Sequence, residues 1–174
     1  MIFKQLFEPT SSTYTYVLGC RETGQALLID PVFETAERDL EVLHALGLKL
    51  THTLDTHIHA DHLTAAQRLK ALAGSKIAAP KLDRLGCVDV GVEEGAEFQV
   101  GSIRLRPLHT PGHTDNHHVF VMETDEATRL FSGDTLLIDG CGRTDFQNGD
   151  SKALFHSVRD KLFTLPDDTL VYPA

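Results

Sequence analysis

Histidine is not spread evenly along this chain. Seven of its ten histidines, His57, His59, His62, His109, His113, His117 and His118, fall in two windows, 55–62 and 109–118. The first window reads His57-x-His59-x-Asp61-His62, at the end of a predicted strand and just before a helix. Side chains alternate on an extended backbone, so His57 and His59 face one way, and the turn that follows can bring Asp61 and His62 back toward them. A lone histidine in a loop is an ordinary polar residue. Four potential ligands in six positions form a metal-binding pattern, since neutral imidazole and carboxylate are common ligands of zinc and iron.

The second window carries Thr110-Pro111-Gly112-His113-Thr114, in which Pro and Gly shape a loop that can aim His113 at a metal. Further on, Phe131-Ser132-Gly133-Asp134 closes a short apolar strand with a carboxylate. Alone, Asp134 reads as a turn residue or a helix cap; its place after the two histidine windows makes it a further candidate ligand. His117 and His118 are adjacent at the start of an expected strand and point to opposite faces, so at most one looks into the site and neither is assigned as a ligand. His44, His52, His109 and His156 have no clustered partners and read as core-edge, strand or helix-surface residues.

Periodicity around these windows gives a mixed α/β pattern. Strands are expected at 14–18 and 26–29, a helix at 34–46 closed by Gly47, a strand at 48–54 and a second helix at 63–73 closed by Gly74. Short strands follow at 76–79, 97–100, 103–108, 118–122 and 130–132, then a helix at 152–163 and a strand opening at 169–172. With 174 residues, 41% of them hydrophobic, the chain fits one globular domain over 1–174 with helices covering a largely β core. A chain of this length buries roughly 70% of the surface its unfolded form exposes. A bound metal is therefore there for chemistry rather than to hold the fold.

The 25 acidic residues outnumber the 16 basic ones, and the formal charge of −9 opposes a polyanionic partner. No basic stripe offsets it, so nucleic acids and anionic membranes are excluded as expected partners. No stretch approaches the apolar length of a membrane span, and the first residues lack an apolar h-region and a small-residue cleavage site. Cys20, Cys87 and Cys141 are odd in number and form no C-x-x-C pair, which suits a reducing compartment, with the cytoplasm as default. Cys20 and Cys87 read as buried thiols, and Cys141 as an ordinary thiol between two glycines.

Three segments, THIHADH at 56–62, TPGHT at 110–114 and SGDTL at 132–136, resemble the metallo-β-lactamase superfamily. The resemblance implies an αββα sandwich of two mixed sheets flanked by helices, with a metal at one edge. A narrower likeness lies in LIDGCGRTDFQ at 137–147, Asp30-Pro31-Val32 and LVYPA at 170–174, which resemble the persulfide dioxygenases. That branch oxidises glutathione persulfide with O₂ to sulfite and glutathione on one non-haem Fe(II). By position, the resemblance makes His57, His113 and Asp134 the iron ligands, a two-histidine, one-carboxylate set that leaves coordination positions open. His59, Asp61 and His62 match positions that hold metal in the hydrolytic branches; here they are expected to orient the ligands or to form a partly filled second metal site. Arg143 is expected to hold a glutathione carboxylate through its planar guanidinium. The resemblance also implies family sequence beyond Ala174, so the chain reads as C-terminally short, and a homodimer would be unsurprising. Two alternatives stand beside this reading: a glyoxalase II-like glutathione thioester hydrolase using zinc, and a truncated domain that binds metal without turnover.

Overall fold

A computed structural model describes residues 1–174. Its backbone divides into two compact units, one of residues 1–55, 59–91 and 99–103, the other of residues 56–58, 92–98 and 104–174.

The first unit is built on a six-stranded sheet with its strands in chain order: β1 (Ile2–Glu8), β2 (Thr13–Gly19), β3 (Gln25–Ile29), β4 (Lys49–Leu54), β5 (Lys76–Pro80) and β6 (Val90–Val92). β1, β2 and β3 pair antiparallel, whereas β3, β4 and β5 pair parallel. The sense changes where helices α1 (Ala36–Ala45) and α2 (Ala66–Ala73) enter the connections, because parallel neighbours need a crossover long enough to return the chain. Leu43 of α1 and Leu69 of α2 pack with Val17, Leu28 and Leu50 of the sheet, which is why the leucine spacing was legible as two amphipathic helices. The sequence pattern does not predict β1. Its apolar residues come in pairs, Ile2-Phe3 and Leu6-Phe7, rather than in alternation, and the pairing with β2 makes it a strand.

A five-stranded sheet, most of whose residues belong to the second unit, runs in the order β11-β10-β9-β8-β7, formed by β7 (Phe98–Val100), β8 (Ile103–His109), β9 (His118–Glu123), β10 (Thr128–Gly133) and β11 (Leu170–Pro173). β8, β9 and β10 are antiparallel and β11 joins β10 in parallel. Val119, Val121, Leu130 and Leu162 form its core. Asp150 caps the third helix, α3 (Ser151–His156), by accepting the Ala153 N–H at 2.8 Å.

The expected single helix over 152–163 is shorter in the structure. Beyond His156 the chain winds more widely over Ser157–Lys161 and then tightens into a 3-10 turn over Leu162–Thr164. Two tethers accompany the change: Ser157 Oγ donates to the Pro111 carbonyl and Lys161 Nζ to the His109 carbonyl, each at 2.7 Å. Two mixed sheets with helices give the α/β class that the element order implied. No helix is long and apolar enough to cross a membrane.

Candidate metal centre

Three segments of the second unit supply the site. Thr56-His57-Ile58 runs beside β9, with the His118 N–H donating to the Thr56 carbonyl at 2.9 Å. The loop after β8 carries His113, and the end of β10 carries Asp134. The structure brings His57, His113 and Asp134 together, with one donor atom from each lying within 4.8 Å of the others. His113 Nε2 lies 3.2 Å from Asp134 Oδ2, and the His57 and His113 rings meet edge to face at 4.9 Å. His57 is 2% exposed and His113 8%.

The imidazoles are held from behind. His113 Nδ1–H donates to the Arg143 carbonyl at 2.9 Å, since a carbonyl can only accept, and this turns the Nε2 edge of the ring toward Asp134. His57 Nδ1 is 2.9 Å from the Thr56 hydroxyl. Backing of the second ring nitrogen is the usual support of a metal-binding histidine. Two buried, backed imidazoles and one carboxylate are a donor set that fits a divalent transition metal.

Close packing fixes the same segments. A Cβ on Gly142 would fall on the Asp134 carbonyl oxygen and 2.7 Å from His113 Nδ1. Gly133, at φ +46°, has the Thr56 hydroxyl 2.7 Å and His117 Nε2 2.8 Å from where a Cβ would stand. Only glycine fits both the left-handed backbone and the space there.

His117 is the residue whose place the sequence left undetermined. It is fully buried, stacks on His57 with ring centroids 4.7 Å apart, and accepts the Asp134 N–H at Nε2, 3.2 Å away. The alternation argument admitted one of the adjacent pair, and His117 is the one. His118 turns away: its Nδ1–H donates to the Asn116 carbonyl at 2.8 Å and its ring stands 5.0 Å from His109. His109 therefore does have a histidine neighbour, contrary to the expectation of none, because β8 and β9 pair these two residues directly.

The first unit gathers the remaining acid and imidazole groups. His59, Asp61 and His62 place one donor atom each within 4.8 Å, and so do Asp30, Asp55 and His59. His59 Nε2–H donates to Asp30 at 3.1 Å, and His62 Nδ1–H donates to Asp61 at 3.0 Å with Thr13 beside both. Burial works against a charged His59, yet the Asp30 carboxylate outweighs it and lifts the imidazole to about 9. Burial, with Asp30 adding, pushes Asp55 up to about 7. The hydrogen bond from His62 holds Asp61 well below the usual carboxylate range. His62 Nε2 is buried without a hydrogen-bond partner.

Arg143 takes part through both its backbone and its side chain. Its carbonyl supports His113, while its guanidinium is closed on Asp145, with Nε–Oδ1 at 2.7 Å and Nη2–Oδ2 at 2.9 Å. A cavity of about 460 Å³ opens beside it, lined by Cys141, Gly142, Thr144, Ser151 and Phe155 among others. All three cysteines are unpaired. Cys20 is buried as expected, and the Ser102 hydroxyl at 3.2 Å draws its thiol down to about 6. Cys87 is exposed, a correction to the expected burial, because it sits in the loop between β5 and β6.

The chain belongs to the metallo-β-lactamase superfamily, whose family model matches residues 9–174. Within that superfamily it falls in the persulfide dioxygenase branch and is an enzyme of that type. The human protein named persulfide dioxygenase ETHE1, mitochondrial, is 45% identical over all of this chain and 68% of its own length. A crystal structure of ETHE1 from Myxococcus xanthus superposes with a TM-score of 0.94 at 47% identity, covering 99% of this chain and 75% of that one. A hydroxyacylglutathione hydrolase from a Polaromonas species is 39% identical over 92% of this chain and 61% of its own length.

Proposed function

We propose that this chain is a mononuclear non-haem iron enzyme that oxidises glutathione persulfide with O₂ to sulfite and glutathione. The observation that carries the reading is the convergence of His57, His113 and Asp134, two imidazoles and one carboxylate, in the persulfide dioxygenase branch. In this reading they are the ligands of one Fe(II). The bound iron would supply a redox-active centre with open positions for O₂ and for the persulfide sulfur.

The chain's own residues set the conditions for that chemistry. The Arg143 carbonyl and the Thr56 hydroxyl hold the two imidazoles in their ligating orientation. Arg143 binds a glutathione carboxylate by exchanging it for Asp145, and the neighbouring cavity is of a size that takes a tripeptide tail. His59, Asp61 and His62 serve as a charged, hydrogen-bonded backing in the first unit. The family model spans residues 9–174 without a break, which supports reading both units as one catalytic domain. Three unpaired cysteines suit a reducing compartment such as the cytoplasm.

A second reading is favoured by one observation. His59, Asp61 and His62 cluster closely enough to hold a metal of their own, and the buried His62 Nε2 is a candidate donor. With zinc there and at His57, His113 and Asp134, the chain would be a two-metal glutathione thioester hydrolase. Metal analysis separates the two. The iron reading expects about one iron per chain in the wild type, none in His113→Ala and an undiminished amount in His62→Ala. Two zinc ions per chain, one of them lost in His62→Ala, would move the assignment to the hydrolase.

A further inference from the structure

We propose that His117 is the positioning residue of the metal centre, a buried crosspiece that ties together the three segments carrying His57, His113 and Asp134. The inference rests on reading those three residues as metal ligands.

His117 reaches each segment by a different part of its ring. The face stacks on His57 at a centroid distance of 4.7 Å and an interplanar angle of 23°. The Nε2 edge accepts the backbone N–H of Asp134 at 3.2 Å. Nε2 therefore carries the lone pair, and the neutral ring has its proton on Nδ1. That Nδ1–H lies 3.0 Å from the Thr135 hydroxyl and 3.3 Å from the Thr110 hydroxyl, and the two hydroxyls are 3.0 Å from each other. Thr135 follows Asp134, and Thr110 opens the loop that carries His113. One side chain thus fixes the backbone from which Asp134 projects, the start of the His113 loop and the plane of the His57 ring.

The surroundings leave the ring no other place. His117 and both threonines are fully buried, and the backbone of Gly133 closes over Nε2. The Thr110 N–H donates to the His117 carbonyl at 2.8 Å, which sets the backbone end of the same crosspiece. No other common side chain combines an acceptor, a donor on the opposite edge and an aromatic face in this volume. Glutamine supplies the acceptor and donor without the face, and phenylalanine the face without either hydrogen bond.

The test uses Co(II), whose visible absorption bands report coordination geometry independently of persulfide turnover. Anaerobic titration would be run on the wild type, His117→Phe, His117→Gln and His113→Ala, with the melting temperature of each metal-free protein. His117→Phe is expected to bind Co(II) roughly 10–100-fold more weakly and with shifted bands. His117→Gln is expected to recover most of the affinity. Wild-type affinity and bands in His117→Phe would overturn the proposal. So would a His117→Gln as impaired as His117→Phe with an equal fall in metal-free melting temperature, since the ring would then be only a filler. If His117→Phe does not fold, Thr135→Val decides, with a smaller shift of the same bands expected and an unchanged spectrum overturning the proposal. Undiminished Co(II) binding in His113→Ala would instead show that the underlying assignment of the metal centre is wrong.

Discussion

At Gly142 one missing methyl group decides how close two loops come. The Gly142 backbone fits against the Asp134 carbonyl and the His113 ring with no room for a Cβ, and its N–H donates to that same carbonyl at 2.7 Å. Gly142→Ala is expected to destabilise the metal-free protein by about 1–3 kcal/mol through overpacking, read from the midpoint of urea unfolding. It should weaken metal binding as well, since the shift displaces a candidate ligand on each side. An unchanged midpoint would contradict the close approach. The windows that hold His57, His113 and Asp134 were legible as clusters of ligand types at strand ends, and the resemblance to the persulfide dioxygenases singled out these three, which the structure brings together. The part played by His117 was not, because it depends on where the Asp134 N–H comes to lie, and no local pattern encodes a meeting of residues 17 apart. The pairing of Arg143 was not legible for a related reason: a guanidinium two residues from a carboxylate can close on it, as it does on Asp145.

The hairpin of β1 and β2 shows what a single carboxylate does for an element. Glu8 ends β1 and accepts the N–H groups of Thr10 and Ser11 at 2.9 and 2.7 Å, so the turn is organised around its charge. The backbone N–H of Ser11 first, and then that of Thr10, draws the Glu8 carboxyl down from its ordinary 4.5 to about 2. Its folded-state value lies below the unfolded one, so the stability it contributes is present above about pH 4.5 and is lost as pH falls toward 2. Glu8→Gln is therefore expected to flatten the acid limb of a melting temperature against pH profile, with its largest difference from wild type above pH 4.5. Parallel profiles would contradict the turn's dependence on charge. Elements with a clear period were legible, as with α1, α2 and β8. β1 and the three-residue β6 were not, since their strand character comes from pairing, and the early end of α3 coincides with tethers to distant carbonyls.

Across the whole molecule, two mixed sheets with their own cores accompany a candidate metal centre whose three residues, His57, His113 and Asp134, all belong to the second unit. A ligand that binds only the folded state stabilises it by mass action, about 2.7 kcal/mol at a free concentration 100 times the dissociation constant. The melting temperature should consequently rise with free Fe(II) in the wild type and stay flat in His113→Ala. A rise in both would place the binding elsewhere. The central claim is tested most directly by oxygen consumption of anaerobically Fe(II)-loaded protein on addition of glutathione persulfide, with sulfite quantified in the same sample. The account expects oxygen uptake matched by sulfite and abolished in His113→Ala. Thioester hydrolysis by a two-zinc form, with no oxygen uptake by the iron form, would contradict it.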